Sequence, residues 1–190
     1  NLISDHLALY FEQLFIKGFV TRFKDSECIY AWDLGNECNC MSKIDSYEAA
    51  EAWTGIIANA IRANDPTRDI VSGMHGMQPN NNWRFRDQGE ILDVVCTHPY
   101  TLYTPYCDSD PLNEMKTILH SSAQTLYYRG LSGKPAFIEE VGALGPSIAS
   151  DEVAADFYKS VLYSGWAHNC LGSMWWCAFD QGHLTNTPYD

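Results

Sequence analysis

Two stretches of the chain hold residues suited to paired carboxylate chemistry. In the first, the apolar run Cys28-Ile29-Tyr30-Ala31-Trp32 leads into Asp33-Leu34-Gly35-Asn36-Glu37, and the sequence then turns polar at Asn39, Ser42, Lys43 and Asp45. In the second, Lys134-Pro135-Ala136-Phe137-Ile138 runs into Glu139-Glu140-Val141-Gly142. An apolar run that ends in polar residues reads as a buried strand delivering its last side chains to a loop at its carboxyl end. Two such strands, each presenting a carboxylate there, point to paired acid/base or nucleophile chemistry on an α/β scaffold. Two further strand ends carry reactive or aromatic groups: His98-Pro99-Tyr100 after the run from Ile91 to Thr97, and Trp175-Trp176 ahead of Asp180.

The elements that must position these residues follow from hydrophobic spacing. Residues 2–23 read as a helix, with Leu7, Leu9, Phe11, Leu14, Phe15, Phe19, Val20 and Phe23 on a broad apolar face. A strand over 28–36 follows. A helix over 46–64 has Ser46 as N-cap, Glu48 in its first turn and Ala49, Ala52, Trp53, Ile56, Ile57, Ala60 and Ile61 on its buried face. Asn64-Asp65-Pro66-Thr67 stops it, because proline cannot continue a helix. A short strand over 69–73 empties into Met74-His75-Gly76, and residues 79–90 form a polar loop with a helical turn before Glu90. The next strand is 91–97, followed by a loop over 101–109 carrying Tyr103 and Tyr106. Asp110-Pro111 opens a helix running to Arg129. A strand over 135–141, a Ser150-capped helix to His168 and a last strand over 171–180 complete the order. Short strands apolar on both faces, alternating with amphipathic helices, predict an α/β fold with a parallel sheet wrapped by helices. No strand is followed by a glycine-rich phosphate loop, which disfavours a nucleotide-binding sheet.

Composition narrows the function classes. With 190 residues, 46% of them hydrophobic, the chain can bury the core of one ordinary domain. A formal net charge of −12 argues against a nucleic-acid partner, since no basic patch is available to displace counterions. Six Trp, eleven Tyr and eight Phe offer flat faces for stacking on sugars, with core packing as the competing reading. The seven Cys are an odd, scattered set, and Cys96 and Cys177 read as small buried hydrophobes. Cys38-Asn39-Cys40 is CxC with no second ligand pair, so no zinc site is expected. No run of about 18 apolar residues occurs, so no membrane partner is expected. None of these features fixes a compartment.

Four of the motifs together resemble one family. Trp32-Asp33-Leu34-Gly35-Asn36-Glu37 is similar to the fourth-strand motif of clan A glycoside hydrolases, (β/α)8 barrels in which an Asn-Glu pair supplies the acid/base. Phe137-Ile138-Glu139-Glu140-Val141-Gly142 resembles their seventh-strand motif, in which the nucleophilic Glu stands two residues before a Gly. His98-Pro99-Tyr100 resembles the sixth-strand His-x-Tyr, and Trp175-Trp176 with Asp180 the eighth-strand Trp that floors the subsite of the cleaved sugar. Family five, the cellulase and mannanase family, is the nearest in character.

The resemblance implies a retaining hydrolase of β-linked poly- or oligosaccharides that needs no cofactor and no metal. It makes Glu37 the acid/base, Glu140 the nucleophile and Asn36 the contact to the sugar 2-hydroxyl. Strand side chains alternate, so only one of Glu139 and Glu140 is expected to point inward, with Glu139 facing the helix layer or the rim. Tyr100 is expected to donate its hydroxyl to the nucleophile, and His98 to meet substrate or the carboxylate network. Trp176 is the expected platform, with Trp175 as its competitor. Trp83, Tyr103, Tyr106 and His75 are loop candidates for subsites.

Such a barrel has eight strands and typically about 250 residues. Only five strands can be placed, so residues 1–190 are expected to be the C-terminal part of a single catalytic domain, a partial (β/α)8 barrel. Its first three strands and last helix are without counterpart, which would leave open strand edges for a missing complementary segment of the barrel. The competing functions are a non-catalytic carbohydrate-binding barrel and a half-barrel fragment inactive without its missing strands. Retention of both carboxylates favours the hydrolase.

Overall fold

The computed structural model describes residues 1–74, 82–145 and 147–179. Its elements run α1 (His6–Phe23), β1 (Ala31–Asp33), α2 (Tyr47–Arg62), β2 (Asp69–Val71), α3 (Phe85–Ile91), β3 (Val95–Thr97), α4 (Met115–Ser132), β4 (Ala136–Val141), α5 (Asp151–Ala167) and β5 (Ser173–Trp175), with short 3-10 turns at Cys38–Cys40 and Thr101–Tyr103. The strands form two sheets, ordered β1-β2 and β3-β4-β5. The pairs β1/β2 and β4/β5 are parallel. By contact density the described chain divides into two compact units, residues 1–74, 82–96 and 128–135 in the first, and 97–127, 136–145 and 147–179 in the second.

Capping chemistry sets the helix starts. Asp5 accepts hydrogen bonds from the Leu7 and Ala8 amides, so α1 begins at His6 and not at residue 2. Ser46 and Ser150 accept from Ala49 N and Val153 N and cap α2 and α5 as their sequence positions predict. Two further expectations are corrected. The helix expected from Asp110 begins only at Met115. Pro111 O instead accepts from Glu114 N and the Thr117 hydroxyl, making a separate turn, and Asp110 pairs with Lys116 at 2.5 Å. The strand expected over 91–97 is confined to Val95–Thr97, because Ile91 ends α3 and the Leu92 amide bonds back to Gln88 O. A helix end and the strand after it share one buried side there, and apolar run-length alone cannot divide them.

In the first unit, β1 and β2 pair in register Ala31↔Asp69, Trp32↔Ile70 and Asp33↔Val71. Helix α2 buries Ala50, Trp53, Thr54, Ile57, Ala58 and Ile61, a face shifted from the expected one so that Trp53, Ile57 and Ile61 remain its apolar spine. The α2–β2 connection is tied to β1 through Asp65. Its carboxylate accepts from Trp32 Nε1 at 2.9 Å, Thr67 Oγ1 at 2.7 Å and Arg68 Nη1 at 2.7 Å. Arg68 also donates to Lys24 O, Ser26 O and Ile29 O, fastening the segment that leads into β1. The apolar face of α1 is mostly not buried. Only Leu9 and Val20 are, while Phe11 and Phe15 are 59% and 69% exposed. Beside that face lies an open apolar pocket of about 260 Å³ lined by Phe15, Phe19, Trp32, Leu34, Trp53 and Ile57, among others.

The second unit is built on a core of Leu112, Ile138, Val141, Phe157 and Val161, which joins β4 to α5. Gly165 is buried in α5 and faces Ile138, whose Cδ1 would lie 3.6 Å from a Cβ at that position, an ordinary packing distance. Among the described residues no helix is long and apolar enough to cross a membrane.

Candidate active site

A polar cluster in the second unit forms where β3 and β4 end. Strand β3 ends at Thr97, whose hydroxyl meets that of Thr125 at 2.8 Å and anchors the strand end to α4. His98 and Tyr100 follow directly and are buried, at 1% and 6% exposure. The Tyr100 hydroxyl donates to Glu140 Oε2 at 3.1 Å. His98 Nδ1 lies 3.6 Å from the same oxygen. Its other nitrogen, Nε2, is 3.2 Å from Glu139 Oε2. Three strand-end groups expected to work together, His98, Tyr100 and Glu140, are thus in contact.

The position of Glu139 differs from expectation. Strict alternation would send it to the helix layer or the rim, yet it reaches the same histidine as Glu140. The cause lies in the pairing of β4 with β5. Ile138 pairs with Ser173 and Val141 with Trp175, so three steps along β4 match two along β5. The extra residue makes a bulge at Glu139-Glu140, and a bulge breaks alternation and re-aims side chains. Nothing in the local sequence of β4 announces this, because the bulge is defined by the partner strand.

Gly142 lies just beyond the bulge. A Cβ there would sit 2.2 Å from Trp176 O, so only glycine admits this approach of the two strand ends. The Trp176 amide donates to Val141 O at 2.9 Å, and the Trp176–Cys177 peptide is cis. Trp175 turns its ring to α5, with centroids 4.8 Å from Tyr158 and 6.3 Å from Phe157, and it packs on the unit's core. Trp176 is half-buried at the strand end. Cys177, expected to be buried, is only half-buried, its Sγ donating to Phe179 O just past the strand end.

In the first unit, Asn36 and Glu37 stand past the end of β1. Asp33 Oδ1 accepts from Gly35 N at 3.1 Å and from Gly73 N at 3.2 Å, binding the turn after β1 to the end of β2. Gly35 has φ +147°, and Glu37 itself has φ 50° and ψ 50°, a left-handed conformation uncommon for a residue with a Cβ. Such strain persists only where the surroundings impose it and gathers at functional positions. Here the Leu34 and Cys38 amides bond to Val71 O and Gly73 O, and the Cys38 thiol donates to Gly35 O. Asn36 is exposed and Glu37 half-buried. Partial burial, and then the negative charge of Glu37, push the Cys40 thiol upward from its ordinary range.

The loop aromatics divide. Trp83 is 6% exposed and packs against Trp53 at 5.9 Å, inside the first unit. Tyr103 is 41% exposed and meets Tyr100 edge-on at 6.1 Å. Tyr106 is 94% exposed. His75 and Asp180 lie outside the described residues. Sequence reasoning missed the roles of Asp33 and Asp65. The signal for Asp65 was present in Asp65-Pro66-Thr67, an Asx-type turn, but its partner Trp32 is far away in sequence.

Residues 6–182 match the family Cellulase (glycosyl hydrolase family 5), and the chain belongs to that family. It is 31% identical over 91 residues to mannan endo-1,4-beta-mannosidase F of Aspergillus fumigatus, covering 48% of this chain and 18% of that protein. With mannan endo-1,4-beta-mannosidase F of Aspergillus clavatus it shares 37% identity over 89 residues, 47% of this chain and 17% of the other. Among solved structures, a GH5_18 protein of Streptomyces cattleya in complex with Manb1-4GlcNAc superposes with a TM-score of 0.87 at 17% identity, covering 98% of this chain and 48% of that one. The endo-1,4-beta-mannanase of Rhizomucor miehei gives a TM-score of 0.73 at 15% identity over 92% of this chain and 54% of that one. The chain therefore spans under a fifth of these curated relatives and about half of these solved neighbours. The fold is α/β, with parallel strands and flanking helices, and fits part of a (β/α)8 barrel.

Proposed function

We propose that the chain is the C-terminal part of a single catalytic domain that hydrolyses β-linked mannose-containing poly- or oligosaccharides with retention. The observation that carries this reading is the hydrogen bond from the buried Tyr100 hydroxyl to Glu140 Oε2 at 3.1 Å. A donor of this kind stabilises an ionised, oriented carboxylate, the state a nucleophile must hold before attack. Glu140 attacks the anomeric carbon, and Glu37 protonates the leaving oxygen and then deprotonates the incoming water. Asn36 contacts the sugar 2-hydroxyl, and Trp176 provides the platform beneath the ring. The mannosidase names of the relatives favour mannan over glucan.

The partner surface belongs to the same reading. Among the described residues β1 pairs with β2 alone, and the aromatic face of α1 beside it is exposed. An unpaired edge next to an open apolar pocket suits a further strand–helix segment, pairing in parallel with β1 and covering Phe11, Phe15 and Phe19. Such a segment would belong to the half of the solved neighbour that this chain does not span.

The test is hydrolysis of a panel of β-mannans, β-glucans and aryl glycosides by the intact protein, with Glu37→Gln and Glu140→Gln as controls. Cleavage of mannan that both substitutions abolish is expected. Wild-type rates in both variants would overturn the mechanism. Mass measurement of the 190-residue chain expressed alone tests the partner surface, since a well-folded, stable monomer would contradict it.

A further inference from the structure

We infer that Glu139 is a positioning residue for the same reaction, acting through His98. This rests on the reading of Glu140 as nucleophile. The His98 side chain is fully buried, and a carboxylate stands at each of its ring nitrogens. Glu139 Oε2 is at hydrogen-bond distance from Nε2, 3.2 Å, and Glu140 Oε2 is 3.6 Å from Nδ1. An ionised carboxylate only accepts, so the contact with Glu139 places a proton on Nε2 and fixes the ring's orientation. Nδ1 is then the nitrogen turned to Glu140. The ring is a buried spacer whose far end is set by one glutamate and whose near end faces the other.

The bulge explains why both carboxylates reach it. Without the extra residue between Ile138 and Val141, adjacent side chains on β4 would diverge to opposite faces. Glu139 is half-buried, whereas a glutamate without a role at a strand end would turn its carboxylate to water. Replacing it by alanine removes the Nε2 acceptor from a ring that water does not reach. The ring then loses its preference for the Nε2–H form, and Glu140 faces a mixture of ring states.

The experiment uses the intact protein with ¹⁵N-labelled histidine, comparing wild type, Glu139→Ala and Glu139→Gln. Wild-type His98 is expected to carry its proton on Nε2, hydrogen-bonded to a charged acceptor. In Glu139→Ala that signature is lost, and kcat on a mannan oligosaccharide falls about tenfold or more while KM stays within about twofold. Glu139→Gln retains an acceptor, so the Nε2–H form persists with a weaker hydrogen-bond shift, and kcat falls less. Unchanged His98 nitrogen shifts in both variants, or a kcat of Glu139→Ala within twofold of wild type, would overturn the inference. Should alanine prevent folding, the nitrogen shifts of the Gln variant decide alone. The spectra do not depend on turnover. Active Glu140→Gln would refute the nucleophile assignment, whereas unmoved spectra would refute the role of Glu139.

Discussion

Replacing Asp65 by alanine should destabilise the protein more than any other single change at the end of α2. The carboxylate is 3% exposed and accepts from Trp32 Nε1 at 2.9 Å, Thr67 N at 3.1 Å, Thr67 Oγ1 at 2.7 Å and Arg68 Nη1 at 2.7 Å. Removing it leaves a guanidinium that is 17% exposed and a buried indole N–H without their shared acceptor. Breaking one side of a buried ion pair costs about 3–5 kcal/mol. For a chain of this size about 2–4 °C is lost per kcal/mol, so the melting temperature should fall by about 6–20 °C. The effect depends on pH with a definite sign. Burial alone would raise the Asp65 carboxyl, but the hydrogen bonds from Thr67, Trp32 and Arg68 outweigh it and hold the group well below the ordinary carboxylate range. A carboxyl lowered in the folded state stabilises fully above its unfolded value, near pH 4, and that stabilisation fades as the pH drops through the folded value. Thermal melting followed by circular dichroism at pH 7 and at successively lower pH should show the wild type and Asp65→Ala converging on acidification. A difference below about 1 kcal/mol at pH 7, or one that widens below pH 4, would refute this account of how β1 is held beneath Glu37.

Two further outcomes follow from the strand ends. Tyr100→Phe removes a donor to a charged acceptor, worth about 1.5–3 kcal/mol, so kcat should fall about ten- to a hundredfold with the fold intact, measured by steady-state kinetics. Gly142→Ala puts a methyl 2.2 Å from Trp176 O, and overpacking of this kind costs about 1–3 kcal/mol. Denaturant unfolding should show that loss, and the Trp176 platform should shift enough to raise KM.

The parts of the molecule governed by local chemistry were legible in the sequence. Ser46 and Ser150 cap where a hydroxyl precedes an amphipathic run, and the five apolar runs each contain a strand. His98, Tyr100 and Glu140 could be assembled because strand ends on a parallel sheet converge on one side. The remainder depended on partners distant in the chain. The bulge that brings Glu139 to His98 is fixed by the register with β5. Asp65 looked like a helix stop until Trp32 stood beside it. The left-handed Glu37 follows from the bonds tying its turn to Val71 and Gly73, which no window around Glu37 contains. The exposed face of α1 had the spacing of a buried one, since amphipathic spacing reports that a face needs cover and not whether this chain supplies it.

In the proposed mechanism Glu140 forms a covalent bond to the sugar. Incubating the intact protein with an activated 2-deoxy-2-fluoro-β-mannoside, followed by proteolysis and mass spectrometry, tests it directly. The fluorine slows both steps and the good leaving group favours the first, so a glycosyl-enzyme should accumulate. One sugar per chain is expected, on Glu140 in the peptide containing Phe137 to Gly142. A label on Glu139, or turnover with inversion and no label, would contradict it.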